Sequence, residues 1–126
     1  MADRLSIGAQ YKDLIEVFDK VDLLNLKTNG ERADIFMIAL AFGVNQGKRT
    51  PSKSKLGFIL ENSAKGKDSL ISFIYSVAVD ELRKEGRENL ITDTNVVYGI
   101  AEEYANTGFD VIKQMIPDIN KYDEEE

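Results

Sequence analysis

The segment at residues 33–42 constrains the fold of this chain most, because its apolar residues cover every side of a helix. Residues 35–42 form the longest uninterrupted apolar run. This run is far shorter than the roughly 20 residues that a membrane-spanning helix needs, so the rest of the chain has to cover it. The three alanines of residues 33–42, together with Met37 and Leu40, favour a helix over a buried strand. We therefore predict that residues 33–42 form the central and least exposed helix, with Gly43 as its C-cap.

Other apolar positions follow the period of amphipathic helices. The pattern predicts helices over residues 10–24 and 68–84 and a further helix beginning near Asp93. That last helix either bends near Thr107 and Gly108 or gives way to a short fifth helix before Pro117. Thr28 and Glu31 have capping-box spacing ahead of the central helix, and residues 56–60 fit a short strand or a turn. The predicted fold is a mainly all-α, compact bundle of four to five helices, with one short extended element left open.

Length and composition indicate one domain and narrow the chemistry available to it. The 126 residues fit a single domain, with ends at roughly residues 1–8 and 120–126 expected to be frayed. The sequence contains no cysteine and no histidine, so disulfides, thiolate metal sites and the commonest general base are excluded. We expect no catalytic residue, no metal and no cofactor. The N-terminus lacks the layout of a secretory signal, and we expect a cytoplasmic protein without a membrane partner.

Charge is concentrated in two regions of opposite sign. Residues 46–67 carry a net charge of +5 and residues 68–126 carry −9, in a chain of net charge −6. The positive region is rich in Gly and Ser and is interpreted either as an interaction surface or as a flexible, solvated loop. As an interaction surface it would contact nucleic-acid phosphates or an acidic protein, and the opposed charges also fit a homo-oligomer paired head to tail. Its candidate residues are Lys48, Arg49, Lys53, Lys55, Lys65 and Lys67.

The first four of these cations are predicted to form an exposed edge. Charges on a solvated loop contribute little to stability, so their reversal is expected to leave the melting temperature nearly unchanged.

Two further groups suggest chemistry but have simpler explanations. Glu102, Glu103 and Asp110 include two adjacent carboxylates that point about 100° apart on a helix, so they are poorly placed to share one cation. A solvated helix face, or a structural role for Glu103 beside Tyr104, is the favoured interpretation. Residues 43–50 are rich in glycine and contain Lys48, but they lack the spacing of a phosphate-binding loop and follow a helix rather than a strand.

Residues 32–43, 47–51 and 102–112, in this order along the chain, resemble the Dnd system-associated protein 4 family, which is encoded beside bacterial DNA phosphorothioation genes. Thr107 departs from the family pattern, which has a second glycine there. We expect the motif residues to be structural and the two long segments to meet in space, with the Tyr104 hydroxyl bonded to a partner. The matching positions are Asp34, Phe36, Ala39, Gly43, Arg49, Glu103, Tyr104, Ala105, Asn106 and Gly108.

The resemblance implies a non-catalytic accessory role in DNA modification or restriction of foreign DNA. The expected partners are other proteins of such a system. The alternative is a DNA-binding protein that contacts phosphates through residues 48–67.

Overall fold

The computed structural model describes residues 4–20, 32–60 and 68–115, and these residues form a mainly α-helical fold, as predicted. No helix in these three ranges is long and apolar enough to cross a membrane. In chain order the elements are β1 (Arg4–Gly8), α1 (Lys12–Lys20), α2 (Arg32–Gln46), β2 (Lys55–Leu60), α3 (Asp68–Glu85) and α4 (Thr94–Met115), with short 3₁₀ helices at Ala9–Tyr11 and Glu88–Thr92.

The centre of the molecule is α4 rather than α2. α4 contacts α2, α3 and β1, and its buried positions run almost continuously from Val97 to Phe109. In α2, Phe36 and Leu40 are fully buried, but Ala41 is exposed and Ile38 is only partly covered. The prediction that residues 33–42 form the least exposed helix is therefore wrong. Apolar composition did not identify α4, because several of its buried residues are polar and satisfied by hydrogen bonds.

Two glycines allow α2 and α4 to pack backbone against backbone. A methyl group on Gly43 would overlap the carbonyl oxygen of Tyr104, and one on Gly108 would overlap that of Ala39. Residues 32–43 and 102–112, which carry the family resemblance, therefore meet in space, as expected. The contacts pair residues in opposite order, so the two helices run antiparallel.

Three helix boundaries differ from the predicted ones or settle an alternative. α2 continues through Gly43 to Gln46, and the terminating residue is Gly47, whose φ of 67° is accessible to glycine at little cost. The predicted C-cap at Gly43 is wrong, since that glycine serves the helix crossing. α4 runs without interruption through Thr107 and Gly108. The predicted end of α3 is confirmed, because Gly86 has a φ of 70°.

The sheet contains a strand that sequence patterning missed. β1 pairs antiparallel with β2, with Ile7 opposite Leu56 and an irregularity between Leu5 and Ser6. Leu5 and Ile7 are buried in the main core, so residues 4–8 do not belong to a frayed end. The element left open at residues 56–60 is a strand. The capping box, residues 21–24 of the first predicted helix and the C-terminal end from residue 116 lie outside the described ranges.

Candidate functional site: the α2–β2 loop

The loop that joins α2 to β2, residues 47–54, is fastened to α4 through its backbone. The Thr50 amide donates to the carbonyl oxygen of Glu103 at 3.0 Å, and the Thr50 carbonyl accepts from Asn106 Nδ2 at 2.9 Å. Both polar backbone groups of Thr50 therefore bind α4. Such bonds are what a loop lying against a helix needs, because a buried backbone group without a partner is costly.

The hydroxyl of Thr107 binds the loop in a way that a glycine at this position could not. Its hydroxyl donates to the carbonyl oxygen of Lys48 at 2.8 Å and lies 2.7 Å from the Thr50 hydroxyl. Because Thr107 has a single hydroxyl proton, Thr50 is the donor in the bond between the two hydroxyls. The departure from the family pattern thus supplies two contacts to the loop.

Asn106 and Glu102 connect the same helix to β1. The Gly8 amide donates to Asn106 Oδ1 at 2.9 Å, and the Ser6 amide donates to Glu102 Oε2 at 2.7 Å. Glu102 also accepts from Lys55 Nζ at 3.0 Å. Two side chains of α4 therefore bind backbone amides of β1. Asn106 bridges β1 and the loop, since its amide binds both.

Arg49 joins the loop to two helices. Its Nε lies 3.0 Å from Glu103 Oε1 on α4, and its Nη1 lies 3.0 Å from Glu81 Oε2 on α3 and 3.3 Å from Glu85 Oε2. Burial opposes the charge of Arg49, but hydrogen bonds and attraction to Glu81 and Glu103 outweigh this effect, so the guanidinium pKa is raised. A planar guanidinium suits this arrangement, because it presents several donors in fixed directions.

Tyr104 completes this cluster from the side of α4. Its hydroxyl donates to Glu81 Oε1 at 2.9 Å, which gives the expected buried tyrosine partner. Burial and the bond to Glu81 raise the pKa of Tyr104 to about 12. Beside the cluster lies a cleft of about 320 Å³, whose lining includes Val44, Val77, Glu81 and Tyr104. The cleft is mixed in polarity, and its polar groups already bind one another.

The basic candidates divide into two groups. Lys48 and Lys53 are exposed on the loop. Arg49, in contrast, has only 27% of its side chain exposed and is occupied by carboxylates, so reversal of its charge is expected to destabilise the loop, unlike reversal at a solvated position. Lys55 is 57% exposed and paired with Glu102. Lys65 and Lys67 lie outside the described residues.

Three of the remaining candidates have structural positions, and the fourth is exposed. Phe36 is in the core, Gly43 and Gly108 form the helix crossing, and Asp34 is exposed. Glu102 and Glu103 bind different cations, as their angular separation on a helix predicts. The favoured interpretation of a solvated helix face is wrong for Glu102, which is only 6% exposed. In residues 4–20, 32–60 and 68–115, no three side chains of the metal-binding types are grouped to hold an ion.

Sequence reasoning missed Thr50, Glu81 and Glu85, whose contacts with the loop and α4 join residues distant in the chain. Comparison of the chain with protein-family models, with curated proteins and with solved structures gives no match.

Proposed function

We propose that this protein is a non-catalytic accessory component of a bacterial DNA phosphorothioation-linked modification or restriction system, active in the cytoplasm in defence against phage. In this role it binds other proteins of the system through the α2–β2 loop. The proposal joins two lines of support. The resemblance of residues 32–43 and 102–112 supplies the setting, and the geometry of the loop supplies the mode of action.

One observation carries the mode of action. The polar side chains around the loop bind one another and the backbone: Arg49 binds Glu81 and Glu103, and Asn106 binds Thr50. Groups engaged in this way hold a surface in place, whereas a catalytic group needs to reach a substrate. What the held loop offers to a partner is a pair of exposed lysines, Lys48 and Lys53.

The second candidate function is direct DNA binding through these lysines. Two exposed cations on one loop favour it, because phosphate contacts dominate the affinity of proteins for DNA. The surroundings oppose it. Glu81, Glu85 and Glu103 lie beside the loop, and the whole chain has a net charge of −6. An acidic surface on a partner protein can contact the lysines locally without the dense charge of a duplex facing these carboxylates.

The test compares the two partners directly. The purified protein is titrated by calorimetry with the purified proteins of the phosphorothioation complex and, separately, with a duplex DNA of random sequence, over a salt series. The variant Lys48→Glu/Lys53→Glu reverses the two exposed loop charges. The matched control, Lys12→Glu/Lys113→Glu, makes the same change of net charge at two exposed residues outside the loop.

We expect the parent and the control to bind a protein of the complex, and the loop variant to bind at least about tenfold more weakly, since two charges that face the partner are reversed. Binding of duplex DNA alone, lost in the loop variant, would replace the proposal with the second function. If the parent binds neither, or the loop variant binds the protein partner as well as the control does, the proposed function is wrong.

A further inference from the structure

Four of the cations in residues 46–67 lie in the described part of the chain, and they differ in what their charges contact. Lys48 and Lys53 are exposed. Arg49 and Lys55 are bound to carboxylates of the protein itself, at 3.0 Å from Glu103 and Glu102, respectively. Neighbouring residues of the same charge therefore have different environments. Two are available to a partner, and two face the helix on which the loop lies.

The Arg49 contacts fix the loop against two separate elements. Glu103 belongs to α4, whereas Glu81 and Glu85 belong to α3. One residue further on, Thr50 binds α4 through its amide, its carbonyl and its hydroxyl. The loop is therefore held at the adjacent residues 49 and 50, with the exposed lysines on either side, and again at Ser54, whose carbonyl accepts from the Ala9 amide at 2.9 Å.

We infer that Arg49 is a positioning residue, which holds residues 47–54 in one conformation so that Lys48 and Lys53 are presented together to the acidic partner. The inference deepens the proposed function and rests on it for the identity of that partner. A loop already ordered before binding loses less conformational entropy on association, so its affinity is higher. Arg49 itself does not contact the partner, because its donors are directed at carboxylates of α3 and α4.

Loss of the guanidinium would release the loop by repulsion as well as by loss of bonds. Glu81, Glu85 and Glu103 all converge on Arg49, so its removal leaves three neighbouring carboxylates with the arginine charge gone. Carboxylates that all lie within 3.3 Å of one guanidinium are close enough to repel one another once its charge is gone. The buried core is formed by residues outside the loop. Loss of the Arg49 contacts should therefore release the loop and leave the core intact.

Arg49→Met tests the inference by hydrogen exchange, because methionine retains an apolar chain but no charge. The informative amide is that of Thr50, which donates to Glu103. We expect it to exchange at least about tenfold faster in Arg49→Met, since local opening becomes more favourable, while amides within α4 keep their protection. Trypsin should also cleave faster after Lys53. Arg49→Lys restores the charge without the planar fork, and its Thr50 amide should exchange at an intermediate rate.

The matched control is Arg87→Met. Arg87 also pairs with Glu85, at 3.1 Å, but it lies beyond the C-terminal end of α3 and outside the loop. This variant removes the same positive charge from beside Glu85, and the Thr50 amide should exchange at the same rate as in the parent. Equal acceleration in the two variants would show a general effect of charge and overturn the positioning role, as would unchanged Thr50 exchange in Arg49→Met.

Binding supplies the second readout. In the calorimetric salt series, Arg49→Met should bind the purified phosphorothioation proteins about fivefold or more weakly than the parent does. The slope of log affinity against log salt concentration should stay unchanged, because the contacting lysines are still present. Lys48→Glu/Lys53→Glu should change the slope. A changed slope in Arg49→Met would make Arg49 a contact residue and overturn the inference. If the parent binds no partner but Thr50 exchange behaves as expected, the proposed function and the partner fail while control of the loop by Arg49 stands.

Discussion

At the scale of single residues, the hydroxyl of Tyr104 gives the stability of the protein a defined dependence on alkaline pH. Its pKa is raised from 10.0 to about 12, so the neutral, donating form is favoured in the folded state. The resulting contribution is fully present below pH 10, where tyrosine is neutral in both states, and is lost as pH rises through about 12. The bond to Glu81 has a charged acceptor and contributes about 2 kcal/mol.

Tyr104→Phe is expected to lower the free energy of unfolding by this amount at pH 8. The difference from the parent should shrink between pH 10 and pH 12, because Tyr104 ionises there in the unfolded parent, whereas the folded protein keeps the proton until about pH 12. Urea unfolding of both proteins at a series of pH values measures the difference, in which the titration of lysines and of other tyrosines cancels. A difference that stays constant up to pH 12 would show that the Tyr104 hydroxyl contributes nothing through Glu81.

At the scale of elements, the α2–α4 crossing depends on the absence of two side chains. Gly43→Ala and Gly108→Ala would each place a methyl group against a backbone carbonyl of the opposite helix. Backbone cannot move aside as a flexible side chain does, and we expect each change to cost about 3 kcal/mol or more. Thermal unfolding followed by circular dichroism measures the loss.

Gly99→Ala is the matched control for these variants. Gly99 lies in α4, and nothing stands within 4 Å of the position that its methyl group would take. Alanine is favoured over glycine inside a helix by about 1 kcal/mol, so this variant should be as stable as the parent or more stable. Destabilisation of all three variants alike would rule out close packing at Gly43 and Gly108 as the cause of the effect, because Gly99 has no such packing.

Helices with a regular apolar period were the predictable elements. The position of α3 and the start of the last helix near Asp93 follow from local pattern and capping, and Asp93 indeed accepts from the Asn95 amide at 3.0 Å. The role of Gly43 was not predictable, because one sequence cannot distinguish a glycine that ends a helix from one that a second helix approaches. β1 was missed because its five residues contain only two large apolar residues, Leu5 and Ile7, and so short an alternation does not predict a strand.

The candidate site was predictable only as a set of residue types. Glu103, Tyr104 and Asn106 were identified as structural, and each does bind a residue from another part of the chain. Their partners were not identifiable, because the contacts join residues tens of positions apart and carry no local signature. Arg49 and Lys48 carry the same charge, so the sequence did not show that one is bound and the other exposed. The difference arises because α3 and α4 bring their carboxylates to Arg49.

At the scale of the whole molecule, β1 and α4 join the two ends of the described chain. The bonds from Ser6 to Glu102 and from Gly8 to Asn106 span 96 and 98 residues, and Leu5 of the same strand is fully buried in the core. Contacts this distant in sequence form only when the intervening chain is organised, because closing a long loop costs entropy. The N-terminal strand should therefore unfold together with the helices rather than separately.

Leu5→Ala tests this coupling. It removes buried methyl groups from the core and is expected to cost about 2–5 kcal/mol, with circular dichroism and tyrosine fluorescence reporting the same urea midpoint. Met115→Ala, at a residue 61% exposed, is the control and should change stability by less than about 0.5 kcal/mol. If Leu5→Ala leaves the midpoint of the helical signal unchanged, β1 is an independent attachment and the helices fold without it.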